Sequence, residues 1–175
     1  IMFTSGTTGD PKGVIAGHAQ SCRTFRSWVA KVGLRQGDRY LVVNPFFHSF
    51  GYKAGWLACL MAGATIYPMK TFDVTHLIEL VRTHRITVLP GPPAIFQTLL
   101  ASDLAGADLG SIRLSVTGAA SISPTLIERM RTDLGIESVL TGYGLTETCG
   151  VVSMSSAGDP ADIVARTCGK PIDGV

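Results

Sequence analysis

The chain has 175 residues, of which 46% are hydrophobic and 16% are charged, and its formal net charge at pH 7 is +2. This composition is typical of a globular domain with an apolar core, and it excludes a disordered chain. The small net charge, without a basic cluster, argues against nucleic-acid binding, and the longest apolar run is shorter than the ~20 residues of a membrane span. The widely spaced cysteines are expected to be reduced thiols of a cytoplasmic protein.

The first half of the chain is predicted to alternate strands and helices. Short apolar runs indicate strands, and apolar residues at helical spacing indicate helices that end at glycine. The predicted elements are, in order, strands at residues 1–3 and 14–15, a helix over 18–32, a strand at 40–43, a helix over about 52–61 and a strand at 65–67.

The second half continues the same alternation. Asp73 or Thr75 is expected to cap one helix, and Pro92-Pro93 and Ser123-Pro124 are expected to begin two more. The predicted strands lie at residues 86–89, 112–116 and 136–140, with a loop at 104–110. Because helix-connected strands pair in parallel through buried crossovers, we predict an α/β fold of layered sheets with flanking helices.

A glycine-rich segment directly follows the first predicted strand. It reads Thr4-Ser5-Gly6-Thr7-Thr8-Gly9-Asp10-Pro11-Lys12-Gly13. Glycine lets backbone N–H groups converge on an anion, hydroxyl groups add donors and Lys12 adds a positive charge, so the segment is suited to bind a polyphosphate. Its spacing fits neither the P-loop nor the dinucleotide-binding fingerprint. An ordinary polar surface loop is the alternative.

Three later segments also carry residues suited to chemistry. They are Pro45-Phe46-Phe47-His48-Ser49-Phe50-Gly51, Thr117-Gly118-Ala119-Ala120 and Thr141-Gly142-Tyr143-Gly144-Leu145-Thr146-Glu147. The ring of Tyr143, held exposed at a strand end, can stack on a base, and Glu147 offers a hard oxygen ligand for magnesium. The alternatives are an ordinary loop tyrosine, a helix cap at Thr146-Glu147, a tight turn at 118–120 and, at His48, a histidine satisfied within an aromatic core.

In this order, the four segments resemble the adenylate-forming (AMP-binding) superfamily, and within it the acyl-CoA synthetases. Gly169-Lys170-Pro171 fits the segment that follows in that superfamily, so the resemblance spans essentially the whole chain. It implies a partial large N-terminal domain of an acyl-CoA synthetase-like fold. It also implies ATP, magnesium and a carboxylic acid as reactants, an acyl-adenylate as the intermediate, and coenzyme A as the co-substrate that receives the acyl group.

The resemblance implies a role for each candidate site residue. His48 is expected to line the carboxylate site and position the acid, Thr146 to donate to the α-phosphate, and Glu147 to hold magnesium. The residues expected to bind the nucleotide are Thr4, Ser5, Gly6, Thr7, Thr8, Gly9 and Lys12 at the phosphates, and Gly118, Ala119, Ala120, Thr141, Gly142, Tyr143 and Gly144 around the adenine and the acyl group.

The resemblance also implies what is expected beyond residue 175. In the superfamily, a ribose-binding aspartate segment, a hinge and a C-terminal lid domain with the adenylation lysine follow this region. Residues 1–175 are therefore expected to be an internal fragment of the AMP-binding N-terminal domain, with negligible turnover alone. Residues 46–53 and 89–93 look closest to actinobacterial fatty-acid or steroid-propanoate CoA ligases. A peptide-synthetase adenylation domain and a non-catalytic nucleotide-binding module are the alternatives.

Overall fold

A two-stranded hairpin begins the fold. The computed structural model of the protein describes residues 1–4 and 9–175. Strand β1 (Met2–Thr4) pairs antiparallel with β2 (Lys12–Val14), and their register sets Thr4 opposite Lys12. The strand predicted at residues 14–15 thus begins earlier, at Lys12, so that the glycine-rich segment connects two strands of a hairpin.

A mixed sheet forms the centre of the fold. Val88 joins two parallel strand pairs, because it bridges to Tyr40 on one side and to Leu114 on the other. The strand predicted at residues 86–89 is reduced to this bridging position, although the Leu89 N–H still donates to the Leu114 carbonyl at 3.0 Å. The two pairs are β3 (Arg39–Val42) with β4 (Thr65–Pro68) and β5 (Leu114–Gly118) with β6 (Ser138–Tyr143).

The sheet continues beyond β6 with two short antiparallel strands. β7 (Ser153–Met154) pairs with the end of β6, and β8 (Lys170–Pro171) pairs with β7. The prediction of parallel pairing for helix-connected strands is therefore confirmed for the central pairs. The strands β7 and β8 were not predicted, because strands of two residues are too short to show an alternating pattern.

The helical segment between β3 and β4 contains an unusual turn. The preceding helix, α1 (His18–Val32), has its predicted bounds and ends at Gly33 with a φ of 67°. The unusual segment consists of α2 (Ser49–Gly51), a π-helix (Tyr52–Leu57) and α3 (Ala58–Ala62), and so begins before the predicted residue 52. A π-helix inserts an extra residue into a helical turn and is often found at functional sites.

Two of the later helices begin at side-chain caps that the sequence predicts. Asp73 accepts a hydrogen bond from the His76 N–H at 2.8 Å, and Ser123 accepts one from the Leu126 N–H at 3.2 Å. Both side chains satisfy backbone donors that the first helical turn leaves free. These two helices are α4 (Val74–His84) and α6 (Pro124–Thr132). The helix α5 (Pro93–Ala101) begins at the predicted Pro92-Pro93 without a side-chain cap, and α7 (Ala161–Arg166) was not predicted.

Apolar clusters cover both faces of the sheet. On one face, α4, α5 and α6 bury Leu77, Phe96 and Ile127. On the other face, α1 and the π-helix pack Phe25 and other side chains against β3, β5 and β6. Within residues 1–4 and 9–175, no helix has both the length and the apolar character needed to cross a membrane.

Candidate functional site

The candidate site lies at the ends of β5 and β6. Gly118 and Gly142 face each other across these strands, and a Cβ at Gly118 would lie only 2.4 Å from the Gly142 carbonyl oxygen. Ala119 follows with a φ of 65°, a conformation that costs energy for a residue with a side chain. Ligands of α/β proteins bind at the carboxyl ends of parallel strands, and strained backbone often marks such sites.

An apolar pocket of about 370 Å³ opens beside these strand ends. Its wall includes Phe25 and Trp28 of α1 and Ala54 of the π-helix, and its polar side includes His48 and Glu147. This pocket is large enough for a small organic ligand, for which typical sites measure about 300–1,000 Å³. The other lining residues are Thr4, Ser49, Phe50, Val116, Thr117, Gly118, Ala119, Gly142, Gly144, Leu145, Thr146, Gly150 and Val151.

A second pocket of about 420 Å³, which we call the glycine pocket, shares part of this wall. Tyr143 lies in it with 45% of its side chain exposed. Ser155 pairs with β6 directly beside this pocket: its hydroxyl accepts the Thr141 N–H at 2.9 Å, and its own N–H donates to the Thr141 carbonyl at 3.0 Å. The residues common to both pockets are Gly118, Ala119, Gly142 and Gly144, and the other lining residues of the glycine pocket are Ala120, Ser121, Ile122, Thr141, Ala165, Arg166, Thr167 and Cys168.

His48 lies at the polar side of the apolar pocket and not in a hydrophobic core. His48 is itself exposed and its neighbour Phe47 is 87% exposed, so the alternative of a histidine satisfied within an aromatic core is wrong. His48 caps α2, because its Nδ1 accepts a hydrogen bond from the Phe50 N–H at 3.1 Å. In a neutral imidazole whose Nδ1 accepts, Nε2 carries the proton and is the nitrogen able to donate.

Thr146 and Glu147 lie on a 3₁₀ turn (Thr146–Thr148) between β6 and β7. The turn is closed by its own backbone, since the Thr148 N–H donates to the Leu145 carbonyl at 3.1 Å. Glu147 is one of the residues that line the apolar pocket, and its carboxylate pairs with no cation among the described residues. An exposed, unpaired carboxylate is a suitable oxygen ligand for magnesium, whose octahedral shell usually includes one or two carboxylates.

Only the Thr4 end of the described part of the glycine-rich segment lines the site. Thr4 lines the apolar pocket, and Lys12 lies opposite Thr4 in the hairpin with its side chain exposed. Gly9 is also exposed, and neither Gly9 nor Lys12 lines either pocket. The predicted phosphate-binding residues Ser5, Gly6, Thr7 and Thr8 lie outside the described residues. No group of three or more metal-ligating side chains occurs in the part of the chain that the structure describes.

Some residues of the site carry no recognisable signal in the sequence. Phe25 and Trp28 follow the apolar stripe of α1, and such a stripe looks the same whether it packs in a core or lines a pocket. Lys53 is 1% exposed and donates from Nζ to the Cys149 carbonyl at 3.2 Å, although a lysine in a predicted helix is normally assigned to the surface.

A buried ion pair lies away from the pockets, before β3. Burial raises the pKa of Asp38, but hydrogen bonds from Arg113, Arg35 and Thr87 and the charge of Arg113 outweigh it and hold the pKa below its usual value. Asp38 is 3% exposed, and its contacts join the start of β3 to the segments around residues 87 and 113. The ion pair between Asp38 and Arg113 therefore stabilises the sheet and belongs to neither pocket.

Comparison with known protein families gives one match over the whole chain. A family model described as "AMP-binding enzyme" matches residues 1–175. A 3-[(3aS,4S,7aS)-7a-methyl-1,5-dioxo-octahydro-1H-inden-4-yl]propanoyl:CoA ligase of Mycobacterium tuberculosis is 53% identical over 98% of this chain. A ligase of the same name from Rhodococcus jostii is 47% identical over 100% of it. The chain covers 34% of each of these proteins, so it spans about a third of the curated relatives it matches.

Solved structures match the fold over the same range. The inhibitor-bound N-terminal domain of FACL13 from Mycobacterium tuberculosis superposes with a TM-score of 0.87 at 30% identity, and covers 98% of this chain and 42% of that one. O-succinylbenzoate coenzyme A synthetase (MenE) from Bacillus subtilis, solved with ATP and magnesium, gives a TM-score of 0.82 at 27% identity, covering 98% and 35%. The predicted α/β fold is confirmed by these matches.

Proposed function

Because this chain belongs to the family of AMP-binding enzymes, we propose that it is part of an enzyme that activates a carboxylic acid with ATP and transfers the acyl group to CoA. The observation that carries this proposal is the shared wall of the two pockets. The apolar pocket and the glycine pocket meet at Gly118 and Gly142, and the 3₁₀ turn with Thr146 and Glu147 borders their junction. An acid and a nucleotide in adjoining pockets would bring their reacting groups together there.

We assign residues 1–175 to the AMP-binding N-terminal domain of a longer chain. The ribose-binding aspartate and the lysine of the C-terminal domain would come from the remainder of that protein. The chain's coverage of about a third of its curated relatives supports this assignment. The four free cysteines, Cys22, Cys59, Cys149 and Cys168, are consistent with a reducing compartment, and we place the protein in the cytoplasm.

The glycine pocket is the proposed adenine site. Gly118 and Gly142 offer backbone without side chains, so a flat ring can approach closely, and the exposed Tyr143 ring provides a stacking surface. Ala119, Ala120, Thr141 and Gly144 would complete this site. The phosphates would extend toward Thr4 and Lys12 at the ends of the glycine-rich segment, where the Lys12 charge favours an anion.

The proposed reaction has two steps. In the first, a carboxylate oxygen of the acid forms a bond to the α-phosphorus of ATP, and the bond to pyrophosphate breaks. In the second, the CoA thiol attacks the acyl carbonyl, and AMP leaves with the electrons of the acyl–oxygen bond. Thr146 would donate to the α-phosphate and His48 would orient the acid. Glu147 would hold magnesium, which when bound neutralises phosphate charge.

We propose a compact, ring-bearing propanoic acid derived from a steroid as the substrate. Aromatic and aliphatic side chains line much of the apolar pocket, which has room for a fused ring system and a short acid chain. The names of the two actinobacterial relatives, which are 53% and 47% identical, support the same substrate class.

The test is ATP–pyrophosphate exchange by the full-length protein, followed by CoA thioester formation. A panel would include bicyclic propanoic acids, 4-coumarate and straight-chain fatty acids of increasing length. We expect exchange with the bicyclic acids and thioester only when CoA is present. Exchange without thioester would refute the transfer to CoA, preference for long chains would refute the substrate class, and no exchange with any acid would refute the activation itself.

A further inference from the structure

Lys53 is a buried lysine that the reaction as described does not use. It lies in the π-helix Tyr52–Leu57 with 1% of its side chain exposed. The next residue, Ala54, lines the apolar pocket, and Gly55 packs near Val42 of β3. Lysine is almost never fully buried unless its amine is paired, because the group loses its hydration. Its position therefore requires an explanation.

The partner of Lys53 is a backbone carbonyl distant in sequence. Nζ donates to the Cys149 carbonyl at 3.2 Å, across 96 residues. Among residues 1–4 and 9–175, no carboxylate lies within ion-pair distance of Lys53. Lysine offers three donors, and a single neutral acceptor compensates poorly for its burial. A methionine of similar length would fill the same space at lower cost, so stability alone does not account for this lysine.

Cys149 is the residue that follows the 3₁₀ turn. It adopts a φ of 66°, and its N–H donates to the Thr146 carbonyl at 3.2 Å. The next residue packs closely as well, since a Cβ at Gly150 would lie 3.2 Å from the Ser49 Cβ and 3.4 Å from the Phe25 ring. The turn is thus closed by its own backbone hydrogen bonds, and the bond from Lys53 joins it to the helical segment that lines the apolar pocket.

We propose that Lys53 is a positioning residue, whose hydrogen bond to the Cys149 carbonyl holds Thr146 and Glu147 at a fixed distance from the apolar pocket. The proposal rests on the proposed function, because it assumes that this turn serves the nucleotide and magnesium. The π-helix has a direct part in this arrangement. Within it, Ala54 lines the apolar pocket, and the preceding residue, Lys53, donates to the carbonyl of Cys149, directly after the 3₁₀ turn.

The test compares Lys53→Met with Lys70→Met in the full-length protein. Lys70 is exposed and lies outside both pockets, so its variant controls for the loss of a positive charge. We expect Lys53→Met to lower kcat about 10- to 100-fold, because small displacements of positioning groups have effects of this size. The magnesium concentration for half-maximal activity should rise about tenfold, while the KM for the acid stays within about twofold.

Hydrogen–deuterium exchange gives a measurement that does not depend on activity. In Lys53→Met, amides of residues 145–150 should exchange faster, while those of β5 should remain as in the unmodified protein. Unchanged exchange and unchanged magnesium dependence would overturn the proposal. Faster exchange in both segments together with a raised KM for the acid would also overturn it, since that pattern indicates general loosening of the domain.

A second variant keeps the proposal testable if Lys53→Met does not fold. Lys53→Gln retains an N–H donor on a shorter side chain, and should raise the magnesium requirement at least about threefold with the KM for the acid unchanged. An unchanged requirement would overturn the proposal. Absence of ATP–pyrophosphate exchange in the unmodified protein would instead refute the proposed function, so a failure of the proposed function can be told apart from a failure of the role of Lys53.

Discussion

Gly118 and Gly142 provide a matched pair that tests the close approach of β5 and β6. They are register partners, yet a Cβ at Gly118 would lie 2.4 Å from the Gly142 carbonyl oxygen, whereas a Cβ at Gly142 would meet no heavy atom within 4 Å. Because the obstructing atom belongs to the backbone, Gly118→Ala requires the strands to move. We expect it to lower the free energy of unfolding by about 1–3 kcal/mol, as in overpacked cores. Gly142→Ala should change it by at most about 0.5 kcal/mol.

Thermal unfolding of the full-length protein, followed by circular dichroism, measures this difference. The curated relatives are about three times longer than this chain, and for a protein of that size 1 kcal/mol corresponds to about 1 °C, so Gly118→Ala should unfold roughly 1–3 °C below the unmodified protein. Gly142→Ala should unfold within about 0.5 °C of it. Equal melting temperatures for the two variants, or a lower one for Gly142→Ala, would refute the argument that the strands leave room for a side chain on one partner alone.

Three further predictions follow from side chains described above. Glu147→Gln should lower magnesium-dependent pyrophosphate exchange about 10²-fold without changing the melting temperature, and unchanged kinetics would remove the magnesium role from this residue. Burial raises the pKa of Cys59 to about 12, so an alkylating reagent at pH 8 should label the exposed Cys22 in the folded protein and Cys59 only after unfolding. Mass spectrometry measures the labelling, and rapid labelling of both cysteines in the folded protein would contradict this expectation. Arg113→Met should cost about 3–5 kcal/mol at pH 7, because Asp38 is left as a buried, unpaired charge. Because the folded-state pKa of Asp38 is lowered, ionised Asp38 stabilises the fold above about pH 4, and this stabilisation is lost as the pH falls through the lowered pKa. The difference in melting temperature between Arg113→Met and the unmodified protein should therefore shrink on acidification. A difference that stays constant with pH would contradict the ion pair between Asp38 and Arg113.

Local signals explain what could be predicted of the fold. The bounds of α1 agree with the prediction because helical spacing and a terminal glycine are both encoded within the segment itself. The strand predicted at residues 86–89 contains only one bridging residue, and the two-residue strands β7 and β8 were not expected. Pairing of strands depends on partners elsewhere in the chain, which no local pattern specifies.

The same distinction applies to the site. Thr146, Glu147 and the glycines at 118 and 142 belong to ordered motifs, and the structure brings them to one pair of pockets. Lys53 ends one of the segments that carry the resemblance, residues 46–53, but the resemblance gives it no role. Its significance comes from a contact with a carbonyl 96 residues away and from the change of helical type around it, and neither property can be read from the residues themselves.

The narrow connection at Val88 has a consequence for the order in which the domain folds. Each strand pair joins segments close in sequence, such as Leu114 with Ser138, whereas Arg39 and Thr87 meet across 48 residues. Closing the longer loop costs more chain entropy, so we expect the two halves of the sheet to form before they join. His48 and Ala54 come from one half, and Gly118 and Glu147 come from the other. The pockets therefore do not exist in a half-assembled domain, and ligand binding would report the final step of folding.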